Sequence, residues 1–497
     1  MWALQRALLC LAIWHHAGLA QPTANRPAAD IPRVWDDAEL TAWTIPARTP
    51  GVYTVHMPSA LYYQIRVAAV YKSYPIYHPA KEPRGYMDWL RQQEPKIVFD
   101  PSKLHSQADW EAVGNLVFID PYPASESIER FRDPRWYTDL NIPLSSEGIV
   151  PAWRYLILKR GEVRAGSANC AACHSRVMPD GSLINGPQTN VPIERDFAWD
   201  IRRRRVLSEA RDKLANPAAL LFPSWKNKVP LADGVGEMDV DQIARLHDAI
   251  PPGVNIRIGV SVFTPPKVAD LIGVKDRKYL DLIARVRHRN IGDLMRYAAL
   301  GFGTFAFYAD RPDVPPSMMP QPSALERYSD EQLYALALYV YSLQPPPNPN
   351  RFDAVAARGQ IVFKREGCEG CHTPPLYTNN KLTLAGDFEP PKSHLAKYDS
   401  LPIRVGTDSR AAMQPMRGTG YYKVPSLKGV WYRGPLEHNG SVATLEDWFD
   451  PARLRDDYVP TGFKGYSVTT RAVKGHEFGL KLSSEDKLAL IKFLKTL

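Results

Sequence analysis

Two short segments carry the chemistry legible in this chain: Cys170-Ala-Ala-Cys173-His174 and Cys368-Glu-Gly-Cys371-His372. The chain has five cysteines, and the fifth, Cys10, lies near the N-terminus. Four thiols in an oxidising compartment would ordinarily suggest two disulfides. A bridge inside Cys-x-x-Cys is usually a strained redox pair, and it leaves the following histidine without a purpose. A zinc site drawn from both pairs would leave His174 and His372 surplus and would have to join opposite halves of the chain. Cys-x-x-Cys-His is instead the attachment pattern of a c-type haem. Each thiol forms a thioether with a vinyl group, and the adjacent histidine sits beneath the iron. The two motifs therefore predict two covalently bound haem c groups. Cys170, Cys173, Cys368 and Cys371 are the attachment points, and His174 and His372 are the proximal iron ligands.

What each iron does depends on its opposite face, because an open iron reacts and a closed one mainly transfers electrons. His476 shortly precedes a C-terminal helix, where a distal ligand of the second iron is expected. His438 reads as a residue that steadies the surrounding loop by hydrogen bonding rather than as a ligand. In the first half, Met318 and Met319 stand before another helix and are alternative distal ligands of the first iron. If neither binds, their role is to fill an apolar haem edge. An open first iron would instead have its pocket near Arg287–Gly303, with His288, Arg289 and Phe302 positioning peroxide or dioxygen; the plain alternative is a surface helix. Trp199 and Trp225 are candidate electron relays, with structural burial as their ordinary role.

The elements that must position these groups are two similar helices. "SDEQLYALALYVYSL" opens at Ser329 as N-cap and sets Leu333, Leu336, Val340 and Leu343 on one face. "SSEDKLALIKFLKTL" opens at Ser483 or Ser484 and sets Leu490, Leu494 and Leu497 likewise. Acidic residues in both first turns suit the helix dipole. Each helix closes a segment holding one haem motif, as two tandem cytochrome c modules would. "QPPPNPN", Gln344 to Asn350, is a stiff linker between them. A further helix, "FDAVAARGQIVFKREG", leads into Cys368.

With 497 residues, 44% apolar and 23% charged, the chain has the composition of a soluble globular protein, and its length suggests roughly two to four domains. Its 45 prolines predict long irregular loops. Arg6, the apolar run Ala7–Ile13 and the small residues Gly18-Leu19-Ala20 read as a secretory signal cleaved near Ala20. The apolar run is too short to cross a bilayer, and no later segment does so. A periplasmic or secreted location is expected. A net charge of +9 and the Arg202–Arg205 run raise nucleic-acid binding, which secretion and haem attachment disfavour. The run reads as a solvated face, as a partner for haem propionates, or as a dock for an acidic redox partner.

At these motifs the chain resembles the bacterial dihaem cytochrome c peroxidase superfamily, including its methylamine-utilisation and rubber-oxygenase-like branches. The resemblance is clearest over residues 353–497. It rests on the second haem motif, "YYKVPSLKGVWYRGPLEHNGSVATLEDWF" and "GHEFGLKLSSEDKLALIKFLKTL". It implies that the Val-Pro-Ser-Leu and His-Asn-Gly-Ser stretches pack beside the second haem. The superfamily's peroxidases carry a methionine where this chain has Ala452, and rubber-oxygenase-like members carry a Gly-His-Glu as in Gly475-His476-Glu477.

The expected fold is mostly α: a signal peptide (1–20), an N-terminal extension (21–144), a first haem module (145–344), a Pro-rich linker (345–350) and a second haem module (351–497). The expected function is a peroxidase-like oxidoreductase acting on peroxide or dioxygen. Its electrons would come from a small redox partner such as a cytochrome c or a copper protein. A purely electron-transferring cytochrome and a haem dioxygenase of an apolar substrate are the alternatives.

Overall fold

The computed structural model describes residues 31–49, 55–121, 126–167, 169–206, 237–256, 265–300, 308–309, 326–414 and 418–497. The signal segment, Trp225, Phe302, Met318 and Met319 lie outside the described residues. The fold is mixed rather than mostly α, with 37% helix and 14% strand. The expectation missed the strands because long β-rich connections separate helices whose capping signals are plain in the sequence.

Among the helices of the described residues, those that matter for the site are α1 (Gln107–Phe118), α2 (Asn169–Cys173), α3 (Ile193–Arg204), α4 (Val240–Asp248), α5 (Ile291–Ala299), α6 (Asp330–Ser342), α7 (Ala354–Arg365) and α8 (Ser484–Lys495). Their starts obey local chemistry. Ser106, Asp239 and Ser329 form reciprocal capping boxes with Asp109, Gln242 and Gln332. Asp353 accepts from the amides of Val355 and Ala356, and Ser483 accepts from that of Asp486. Each such cap contributes about 1 kcal/mol.

Two helix crossings repeat one another. α1 packs on α6, and α7 packs on α8. At the first crossing, a Cβ on Gly114 would lie 2.1 Å from the Ala335 carbonyl oxygen and 2.7 Å from the Tyr339 Cβ. At the second, a Cβ on Gly359 would lie 1.9 Å from the Ala489 oxygen and 2.7 Å from the Phe493 Cβ. In each pair the glycine backbone rests directly on a helix presenting an alanine and, one turn later, an aromatic ring. Leu333, Leu336 and Val340 are buried at the first crossing, and Val362, Phe363, Leu490 and Leu494 at the second. Residues 107–118, which the sequence assigns to an extension, are thus the packing partner of the helix that closes the first half.

Ahead of the first haem motif, strands from both sides of α1 in the chain form a three-stranded antiparallel sheet. Its strands are β1 (Ser73–Tyr77), β2 (Ile149–Lys159) and β3 (Glu162–Ser167), with β2 central. β2 is buried almost throughout, which hides its alternation from the sequence. Phe131 and Trp136 pack on its Trp153, in a core that also holds its Tyr155. Arg130 bridges Glu126, Asp196 and Asp200 beside this core. Trp136 Nε1 donates to Asp196 at 2.7 Å, which ties the sheet to α3. Ser167 Oγ donates to Glu126 at 2.7 Å, fixing the end of β3 just ahead of Cys170. After the motif comes a short hairpin, β4 (Ser175–Val177) and β5 (Leu183–Asn185). In the second half β6 (Leu382–Leu384) lies between β7 (Ser400–Arg404), parallel to it, and β8 (Tyr421–Lys423), antiparallel to it.

The arginine run ends α3 at the surface. Arg202 pairs with Asp248, Arg203 with Asp133 and Arg205 with Asp241. Arg203 also covers Trp199 at 4.5 Å. The run is a solvated, ion-paired face, as the plainest of its three readings holds. Among the described residues no helix is long and apolar enough to cross a membrane.

Candidate haem-binding cavity

The two Cys-x-x-Cys-His segments fold alike. In each, the histidine amide donates to the carbonyl of the first cysteine, at 2.9 Å for His174 and 2.8 Å for His372. All four cysteines are free thiols. Burial pushes the Cys170 thiol up to about 12 and the Cys368 thiol up to about 11, and it raises Cys371 as well. A redox Cys-x-x-Cys works through a depressed thiol pKa, so these pairs have the wrong electrostatics for disulfide exchange. Among the described residues no three His, Cys, Asp or Glu side chains are gathered around a common ion position, so the two pairs do not form a zinc site.

His372 is oriented by its backbone surroundings. Its Nδ1 lies 3.2 Å from the Tyr377 carbonyl oxygen and 3.1 Å from that of Pro425. Carbonyl oxygens only accept, so Nδ1 carries the proton and Nε2 keeps its lone pair. That is the tautomer a metal-ligating histidine needs. Burial holds the His372 pKa below the ordinary imidazole value, so the ring stays neutral.

His476 faces it. The two ring centroids are 6.3 Å apart, with planes at 55°. Two imidazoles sharing one metal at about 2 Å each, with the ring radii added, stand roughly 6 Å apart. The separation fits one iron between them. His476 Nδ1 is buried without a hydrogen-bond partner among the described residues. Burial first, and then the neighbouring His372, push its pKa down to about 4. Backbone geometry explains how it reaches this place. Gly475 has φ +81°, and a Cβ there would meet the Gly406 and Thr407 backbone at 2.2 Å. His476 itself is left-handed, at φ 47°. Its amide donates to the Val405 carbonyl at 2.6 Å. The buried Arg453 closes the loop, donating to the carbonyl oxygens of Trp448, Val473 and His476. Trp448 and Phe478 flank the ring edge-on, each with its centroid 5.3 Å away.

His438 stands beside this pair. Its Nε2 lies 2.9 Å from Thr407 Oγ1, and its ring stacks on Tyr422 at 3.7 Å and 9°. Its carbonyl accepts from the Lys267 amide at 2.8 Å. It fastens the Thr407, Tyr422 and Lys267 segments together around the cavity.

One cavity of about 540 Å³ joins these features. His174, His372, His438 and His476 all line it, together with Cys368, Cys371 and the Val424–Leu427 stretch. A volume of that size suits an enclosed organic cofactor. Around His372 the residues present fit haem c: the Cys368 and Cys371 thiols, a tautomer-fixed histidine with His476 facing it, and apolar walls; from the first motif His174 reaches the cavity, whereas Cys170 and Cys173 do not line it. Cys173 Sγ receives a 3.2 Å contact from Asn255 Nδ2.

His288 and Arg289 do not line this cavity. His288 places Nδ1 2.8 Å from the Arg277 carbonyl and Nε2 2.6 Å from the Tyr341 hydroxyl, so both nitrogens are engaged. Arg289 forks onto Asp293 and also reaches Glu39. These contacts anchor the residues ahead of α5. Sequence reasoning missed Arg453, Lys267 and Lys423. The only signal for them was a charged residue within an otherwise apolar stretch.

No family model matches the chain. A stretch of 114 residues is 32% identical to a cytochrome-c peroxidase of Denitromonas iodatirespirans, covering 19% of this chain and 30% of that one. Another of 160 residues is 27% identical to a cytochrome-c peroxidase of Pseudomonas sp. (strain SCT), covering 29% and 39%. Two relatives are named cytochrome-c peroxidases. The chain thus spans only about a third of their length. Among solved structures, a MauG-like protein associated with microbial copper homeostasis is 18% identical with a TM-score of 0.27, over 47% of this chain and 73% of that one.

His476→Gly is expected to convert one low-spin haem to high-spin in the electron paramagnetic resonance spectrum of the oxidised protein. His438→Ala should leave both haems low- or high-spin as they were and mainly lower thermal stability. Spectra untouched by His476→Gly would refute the pairing of His476 with His372.

Proposed function

We propose that this chain is a periplasmic or secreted c-type cytochrome that binds two haems covalently and acts as a peroxidase-like oxidoreductase. The observation that carries the reading is the facing pair His372 and His476 in a cavity that also reaches His174. The repeated helix crossing supports reading the chain as two cytochrome c-like modules, one per motif. Similarity to proteins named cytochrome-c peroxidase supports the reaction class.

When bound, the two haems supply electron transfer and activation of peroxide or dioxygen. The chain's own residues divide those roles. The Tyr377 and Pro425 carbonyls fix the His372 tautomer, and the Arg453 clamp holds the His476 loop, so the second site favours storing or relaying electrons. Thr407 and Tyr422 hold His438 in place, which keeps the loop between the sites rigid. The first site, at His174, is then the place for chemistry. Electrons would arrive from a small redox protein such as a cytochrome c or a copper protein.

Purified oxidised protein tests this directly. Cyanide or hydrogen peroxide should change the spectrum of the haem held by His174 and leave the other unaltered. Met318→Leu and Met319→Leu should leave the starting spectrum nearly unchanged. Two haems indifferent to peroxide, with a new high-spin signal after one methionine is removed, would show an electron shuttle instead.

A further inference from the structure

The cavity wall carries an unbalanced charge. Lys267, Arg277, Arg285, Lys423 and Arg433 line it, against the carboxylates Asp270, Asp281 and Glu437, an excess of two cations. Each carboxylate already accepts hydrogen bonds from neighbouring neutral groups, while Glu437 Oε1 is buried without a hydrogen-bond partner among the described residues. Asp270 accepts from the Tyr432 hydroxyl and the Ile272 amide, each at 2.8 Å; Asp281 accepts from the Arg285 amide at 3.0 Å; Glu437 accepts from the amides of His438 and Asn439. Two of the cations, Lys423 and Arg277, rest on neutral acceptors. Lys423 Nζ donates to the Tyr279 and Leu280 carbonyls at 3.2 and 2.9 Å. Arg277 donates to the Asp270 and Ile272 carbonyls. Among the described residues, neither Lys267 nor Lys423 has a carboxylate within ion-pair distance, whereas Arg433 lies 3.6 Å from Asp270. A carbonyl satisfies a hydrogen bond but not a charge, and cations held together inside a protein are costly without anions between them.

We propose that Lys267 and Lys423, steadied by Arg277, bind the carboxylate side chains of the haems held at His174 and His372. The assignment rests on the two-haem reading above. Burial and mutual repulsion favour it independently. Burial first, and then Arg277, push Lys423 down to about 7; burial first, and then Arg433, push Lys267 down to about 8. Both lysines are thus less readily charged than solvent-exposed ones, and an anion beside them would favour their charged forms. A porphyrin carboxylate tethered through thioethers at the same cavity supplies that anion at high effective concentration. A free anion such as phosphate has the same chemistry and is the alternative source.

The test uses holoprotein bearing Lys267→Met, Lys423→Met or the charge-keeping Lys267→Arg and Lys423→Arg. Midpoint potentials of both haems are followed by spectroelectrochemistry from acid to alkaline pH, with and without inorganic phosphate. Thioether attachment does not depend on these lysines, so the Met variants should keep two haems per chain. At least one haem should acquire a potential that falls as pH rises, because a carboxylate deprived of its cation takes up a proton on reduction. The Arg variants should restore the pH-independent wild-type profile. A displacement uniform at all pH values, or none, would overturn the carboxylate assignment while leaving two haems in place. A profile that moves with phosphate would assign the lysines to a free anion and overturn it equally. Fewer than two haems in the wild type would instead overturn the two-haem reading itself.

Discussion

Cys368→Ala combined with Cys371→Ala should halve the covalently bound haem, leaving one group per chain that survives denaturation. Cys170→Ala with Cys173→Ala should do the same for the other site. Each motif holds two thiols in a turn closed by the histidine amide, and each thiol can form one thioether. Their burial raises the thiol pKa values, which removes the thiolate that disulfide exchange requires. Haem stain and a pyridine haemochrome spectrum on denatured protein read the count. Wild type made with a competent maturation system and carrying one haem or none would overturn the functional reading. A loss of both haems from either double variant would show that the sites mature together rather than independently.

The cysteine motifs were legible because their chemistry is local: five residues contain the thiols, the ligand and the turn. The starts of α6 and α8 were legible for the same reason, since Ser329 and Ser483 cap helices whose apolar residues fall on one face. His476 could be singled out by its position, but not the Arg453 clamp, which lies across three carbonyls from separate segments. The sheet β1-β2-β3 escaped because β2 is buried on both faces and shows no alternation. A polar side chain near a helix start looks the same in sequence whatever it meets, so the contacts of His288 with Tyr341 and of Arg289 with Asp293 were not legible either. The carboxylate-free lysines of the cavity were illegible altogether. Their meaning lies in which charges surround them, and those come from residues 267, 277, 423 and 433.

Gly359→Ala should destabilise the protein, although alanine in a helix interior ordinarily gains about 1 kcal/mol over glycine. The added Cβ would lie 1.9 Å from the Ala489 carbonyl oxygen, and that oxygen belongs to a helix backbone that cannot swing aside. α7 must then lift from α8, opening the packing of Val362 and Phe363 against Leu490 and Phe493. Overpacking of this kind costs about 3 kcal/mol, enough to override the propensity gain. Gly114→Ala should act likewise on α1 and α6, where the approach to the Ala335 oxygen is 2.1 Å. Thermal melts of the two variants decide the matter: both should melt several degrees below wild type. The crossing carries function as well as stability, because α7 runs directly into Cys368 and its partner α8 contributes Leu490 and Leu494 to the cavity wall. Gly359→Ala should therefore also broaden the low-spin signal of the haem held by His372, while Gly114→Ala leaves that signal sharp. If both variants were as stable as wild type, the close approach of the paired helices would be refuted, and with it the parallel between the two halves of the chain.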